Sequence, residues 1–164
     1  MLKERLQDEL KAALKSGDST RRLTVGMVLS AIKNRELEKR NKLSKTGVQI
    51  QDLDAQSTLT DDETLEVIAM EVKKRKEAFD IYTQNSRADL AEKEKTELNV
   101  LLEFLPEQMS EDEVRTEVKQ AISQANPQGL KDMGKVISQV MAKVKGRADG
   151  QMVSRIVKEE LSAS

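Results

Sequence analysis

Between Met133 and Leu161 the chain reads MGKVISQVMAKVKGRADGQMVSRIVKEEL, two apolar stripes of helical period broken by a glycine-bounded turn. That pattern admits little besides helix packed on helix. Met133, Val136, Ile137, Val140, Met141 and Val144 share one face of a first helix, with Asp132 placed to cap its start and Gly146 placed where a left-handed residue ends it. Asp149 is placed to cap a second helix, which turns Val153, Ile156, Val157 and Leu161 to one side. The stripes can pack on each other, which leaves residues 145–150 as an exposed elbow. Lys143, Lys145, Arg147, Arg155 and Lys158 gather around that elbow with few acids beside them. This is the pattern of an anion-facing surface, and nucleic acid is the partner to test first.

The rest of the chain is punctuated in the same way. Leu2, Leu6, Leu10, Ala13 and Leu14 form a stripe that stops at Ser16-Gly17, and Asp18-Ser19-Thr20 restarts the chain. A second helix, from about Thr20 to Arg40, is apolar on a wide arc, as expected at the centre of a bundle. Gly26 inside it implies close approach of a neighbouring helix. From Asn41 to Leu59 the periodicity fades into a polar linker. Thr60-Asp61-Asp62-Glu63 is a capping box opening a long helix that carries the basic run Lys73-Lys74-Arg75-Lys76, read as a solvated, salt-bridged face. A further helix starts at Ser86 to Asp89 and ends at Pro106, where the domain boundary is expected. Ser110-Glu111-Asp112-Glu113 is another capping box, with Met109 and Val114 spaced as a hydrophobic staple. The expectation is therefore an all-α protein. It has a helical N-terminal domain over 1–105 with a polar linker at about 41–59, and a C-terminal three-helix bundle over 107–164 with helices near 111–125, 132–145 and 150–162. No strand pattern, solenoid repeat or sustained heptad occurs.

Composition agrees with helix packing and narrows the chemistry. Only 2% of residues are aromatic against 37% hydrophobic, so burial rests on Leu, Ile, Val and Met. Charged residues make up 35%, and the signs nearly cancel to a net charge of -1, so anion binding has to come from a local patch. The absence of Cys removes disulfides, thiolate metal sites and a Cys nucleophile. The absence of His removes the commonest general base and metal ligand. Acidic pairs such as Asp61-Asp62 and Glu111-Asp112-Glu113 fall in first helical turns, where the macrodipole accounts for them. There is no phosphate-cradling glycine loop. The sequence thus leans away from an enzyme, with no catalytic centre, cofactor or metal expected. The N-terminus mixes acids with Lys3 and Arg5, and no apolar run approaches the ~20 residues of a bilayer span, so a cytoplasmic protein with no membrane partner is expected.

The run Gly134 to Leu161, with Arg87-Ala88-Asp89-Leu90-Ala91-Glu92-Lys93-Glu94 and Phe104-Leu105-Pro106-Glu107-Gln108, resembles the YqeY proteins over nearly the whole chain. The part from Val140 to Ala148 also resembles the C-terminal tail of the B subunit of tRNA-dependent amidotransferases, where the tail implies tRNA contact and not catalysis. The chain departs from these patterns with Asp149-Gly150 where the B subunit usually has Asn-Pro, with Thr24 in place of a common Arg, and with Phe104 in place of Tyr. The resemblance implies an accessory protein that binds tRNA or another structured RNA, beside a tRNA-processing or charging enzyme. A carbon-nitrogen ligase label would be inherited from the shared tail. Two other classes fit the residues. Gln151, Ser154, Arg155 and Lys158 could be the outward stripe of a DNA-reading helix-turn-helix, although Glu159 and Glu160 would meet phosphates beside it. A protein-binding adaptor is the third.

Overall fold

The structure is a computed structural model describing residues 1–162, and among them it contains eight α-helices and no strand. They are α1 (Leu2–Ser16), α2 (Ser19–Lys45), α3 (Ile50–Ser57), α4 (Asp61–Gln84), α5 (Ala88–Leu102), α6 (Glu111–Ala125), α7 (Met133–Val144) and α8 (Gly150–Ser162). Short polar side chains set several starts by accepting backbone N–H groups that the first helical turn leaves unpaired. Asp18 accepts from the Arg21 N–H at 2.9 Å. Thr60 and Glu63 exchange bonds in a capping box, as do Ser110 and Glu113. Asp132 behaves differently from expectation. It ends a single 3-10 turn, Leu130–Asp132, and its carboxylate accepts the Gln128 N–H at 2.8 Å, so it ties the preceding loop and leaves α7 without a side-chain cap.

The chain divides into two compact units, Met1–Phe104 and Leu105–Ser164. In the first, α2 lies against α1, α3, α4 and α5, and Val25, Val28 and Ile32 on its inner face are buried. Glu36 continues that face. It is 7% exposed, receives Lys3 of α1 at 2.6 Å, and accepts the Leu59 N–H of the α3–α4 connection at 3.3 Å. One carboxylate thus joins three segments. Phe104, also buried, lies under the Arg5 guanidinium, 5.2 Å from the ring centroid.

Three features of this unit depart from the sequence reading. The polar linker is structured: α2 runs on to Lys45, and α3 buries Leu53 while Leu59 is buried just beyond it. A helix of eight residues with few apolar positions is marginal alone, so it forms here through packing, and periodicity gives no sign of it. Gly26 has no close neighbour, since a Cβ built there meets nothing within 4 Å. Arg75 leaves the solvated basic run and turns inward, 13% exposed, 2.8 Å from Glu97, 3.6 Å from Glu94 and 3.9 Å from Glu71. Lys73 and Lys74 do lie in a salt-bridged face, on Glu77 and Glu71.

The second unit is a three-helix bundle. Val114, Val118, Val136, Val140, Val144, Val153, Ile156 and Val157 are essentially fully buried in one core, with Met109 packed against it. Ion pairs give the directions. Arg155 meets Glu111 and Glu159 meets Arg115, so α6 and α8 run parallel, whereas Lys143 meets Glu117 on the returning α7. The start of α6, the end of α7 and the start of α8 therefore share one pole.

Two substitutions test these local arguments. Glu36→Ala should destabilise the first unit by about 3 kcal/mol in urea unfolding followed by circular dichroism, because the Leu59 N–H stays buried without an acceptor. Glu36→Gln, which keeps an acceptor, should lose less. Ser86 follows α4 at φ 57, with the Arg87 N–H bonded back to the Tyr82 carbonyl at 2.9 Å, a helix end that suits glycine. Ser86→Gly should therefore raise stability by about 1 kcal/mol.

Candidate nucleic-acid interface

The elbow between α7 and α8 is fixed by its own backbone and by the segment before α6. Gly146 takes the left-handed conformation expected of it, at φ 70. The Arg147 N–H returns to the Val144 carbonyl at 2.7 Å, and the Arg147 carbonyl accepts the Met109 N–H at 2.7 Å. The Gln108 side-chain amide donates to the Gly146 carbonyl at 2.7 Å. Asp149 caps α8 as expected, accepting the Gln151 N–H at 2.8 Å. Four short bonds thus hold the turn at the shared pole of the bundle.

The five cations read from sequence are placed differently from one another. Arg147 is exposed at the turn itself, with its Nε donating to the Glu107 carbonyl at 3.2 Å. Lys145 is exposed beside it. Lys143 reaches Glu117 on α6 at 3.5 Å. Arg155 lies on the α6-facing side of α8, 2.7 Å from Glu111 and 3.1 Å from Glu159. Lys158 is exposed and has no ion-pair partner among the described residues. Arg147 and Lys145 therefore sit at the elbow, Lys143 and Arg155 join it to α6, and Lys158 lies one turn beyond Arg155.

The sequence stretch shows few acids at the elbow, but the fold brings some in from α6. Glu111 and Glu117 are distant in sequence and face Arg155 and Lys143. Arg115 completes this network and was not singled out by the sequence. It reaches Glu160 at 2.7 Å, Glu159 at 2.8 Å and Glu111 at 3.1 Å. Its signal would have been the helical spacing of Glu111 and Arg115 opposite the pair Glu159-Glu160. Arg155, and secondarily Arg115, hold the Glu111 carboxyl below its ordinary range, and Arg115 with Arg155 does the same to Glu159. Among the described residues no group of three or more acidic side chains is placed to hold a metal ion. No described helix is long and apolar enough to cross a membrane.

A family model described as Yqey-like protein matches residues 3–161. The chain belongs to the YqeY family. An uncharacterized protein of Schizosaccharomyces pombe is 31% identical over 110 residues, which is 67% of this chain and 73% of that protein. Two yeast proteins named altered inheritance of mitochondria protein 41, mitochondrial, are similar over shorter stretches. The Kluyveromyces lactis protein is 34% identical over 58% of this YqeY chain and 44% of its own length. The Vanderwaltozyma polyspora protein is 31% identical over 61% of this chain and 46% of its own length. The matched part thus spans less than half of either mitochondrial relative.

The network at the α6–α8 face sets a pH response. The folded-state values of Glu111 and Glu159 are depressed, so their contribution is fully present above the ordinary carboxylate range and is lost as pH falls through the folded values. Carboxyl NMR titration should show both groups titrating below an unpaired glutamate. In Arg155→Met, Glu111 should move up toward the ordinary value, since Arg155 is its largest cause.

Proposed function

We propose that this YqeY protein is an accessory binder of structured RNA, tRNA first among candidates, and that the elbow of its C-terminal bundle carries the contact. The observation that supports this most is Arg147. It is an exposed guanidinium on a turn held by its own carbonyl and by Gln108, at the N-terminal end of α8. A planar fork beside the positive end of a helix suits a phosphate oxygen pair. Lys145 flanks it, and Lys158 lies further along α8. The likeness of Val140 to Ala148 to the amidotransferase B-subunit tail supports tRNA as the ligand. The contacts would be to phosphates, because no aromatic side chain occurs in the bundle to stack on bases. The reading places no bond-making chemistry on this chain. A tRNA ligand suits a cytoplasmic protein and a mitochondrial one equally.

The DNA-reading alternative meets a specific obstacle. Arg155, central to the outward stripe such a helix would need, is drawn toward α6 by Glu111, and Glu159 stands beside it. A duplex would have to displace one carboxylate and face another.

Fluorescence anisotropy of labelled tRNA across a salt series tests the proposal. Contact with about three phosphates predicts a log-log salt slope near -3, and Arg147→Ala should weaken binding most, lowering the slope's magnitude by about one. Arg155→Ala and Lys143→Ala should weaken it less, since each cation already has a carboxylate partner. Folded tRNA should outcompete duplex DNA of equal charge. If Arg147→Ala and a Lys143/Lys145 double substitution leave affinity and slope unchanged in a folded protein, the elbow has no such role.

A further inference from the structure

The solvent face of α2 is sorted by charge in a way the first unit's own packing does not require. From Arg22 to Lys45, the exposed charged residues are Arg22, Lys33, Arg35, Glu38, Lys42 and Lys45. Every exposed uncharged residue in the same span falls on a single line. Leu23, Met27 and Leu37 are its apolar members, at 56%, 42% and 46% exposure, and Ser30, Asn34, Asn41 and Ser44 fill the places between. Their spacing alternates four and three residues throughout. That is the repeat with which one helix presents a continuous seam to another. Apolar side chains hold only three of the seven places, which is why no sustained heptad is legible in the sequence alone.

We infer that this face of α2 is the seam of a parallel, in-register dimer with a second copy of the chain. Self-pairing sets like against like, with Leu23, Met27 and Leu37 each meeting its own copy. An antiparallel pair would instead oppose Leu23 to Asn41 and Ser30 to Asn34, leaving only Met27 and Leu37 to meet an apolar partner. The flanking positions make the same choice. In the parallel register Lys33 of one copy faces Glu38 of the other, and Gly26 faces Ala31. An antiparallel pair would bring the two copies of Lys33 together. One parallel pairing is unfavourable, Arg40 against Lys45, and Arg40 is already drawn away by an ion pair with Asp54 of its own α3.

The polar seam residues fit burial against a copy. The Ser30 and Ser44 hydroxyls donate to the Gly26 carbonyl at 2.9 Å and the Asn41 carbonyl at 3.1 Å, so they enter an interface already bonded. Asn34 and Asn41 can bond across the seam to their own copies, the use of asparagine that fixes register at a cost in strength. Gly26, next to Met27, has open space around its missing Cβ, and its small size lets a second helix approach where no helix of this chain does. Such a dimer is weak and is best read by trapping.

The chain has no cysteine, so Ser30→Cys and Ser44→Cys each give a single thiol. Under air oxidation with a copper catalyst, both should form disulfide-linked dimers many times faster than Arg35→Cys, which is exposed but off the seam. Sedimentation should show a concentration-dependent dimer for the unmodified protein. Asn34→Lys should abolish it with helicity unchanged, and Asn34→Leu should strengthen it by roughly tenfold or more. Lys33→Glu should weaken association and Lys33→Glu with Glu38→Lys should restore it. Cross-linking at the Arg35→Cys level, or a monomer at every concentration, overturns the inference, including the case where the seam takes a helix of another protein. Cross-linking only between Ser30→Cys and Asn34→Cys mixtures shows an antiparallel pair and overturns the parallel one.

Discussion

The burial of branched aliphatic side chains between short helices is the interaction on which the C-terminal bundle depends. Val136, Val140 and Val144 line α7, and Val153, Ile156 and Val157 line α8, all essentially excluded from water. Valine and isoleucine are indifferent helix formers because the preceding turn restricts their rotamers. Helices of twelve and thirteen residues built on them have little stability alone. What holds them is the transfer of each side chain from water, on the order of 2 kcal/mol apiece. The elbow lies where the two buried stripes meet, and Ala148 within it packs against the same core, so the candidate site takes part of its geometry from that core.

In the first unit the corresponding constraint is polar. Glu36 satisfies a backbone N–H that would otherwise be buried unpaired and draws Lys3 across from α1. Replacing such a group by an apolar one of similar size would remove the demand as well as the bond, so its presence speaks for register more than for strength. Arg75 among Glu71, Glu94 and Glu97 is a second arrangement of this kind, and the two lie on the helices that enclose the centre of the unit.

Much of this was legible in the chain because helix ends are written locally. The Thr60-Glu63 and Ser110-Glu113 boxes and the Gly146 stop all lie within four residues of what they act on, and each is where the sequence places it. What was not legible is non-local. The helix Ile50–Ser57 exists because α2 offers it a surface, and nothing in its own eight residues announces that. Arg75 reads as one member of a basic run until Glu94 and Glu97 of α5 come beside it. At the elbow, five cations could be picked out by eye, but Glu111 and Glu117 arrive from a helix some tens of residues earlier. Local charge counting therefore overstates how bare such a surface is.

The bonds joining residues 107–109 to the elbow also decide how that surface loop moves. The Met109 N–H can be released only by parting two segments nearly forty residues apart, and the Arg147 N–H is closed within the same turn. Amide hydrogen exchange there would follow the opening of the bundle and not the fast fluctuations usual for an exposed turn. A partner meeting the elbow would meet a shape already set, with little chain entropy left to remove on association.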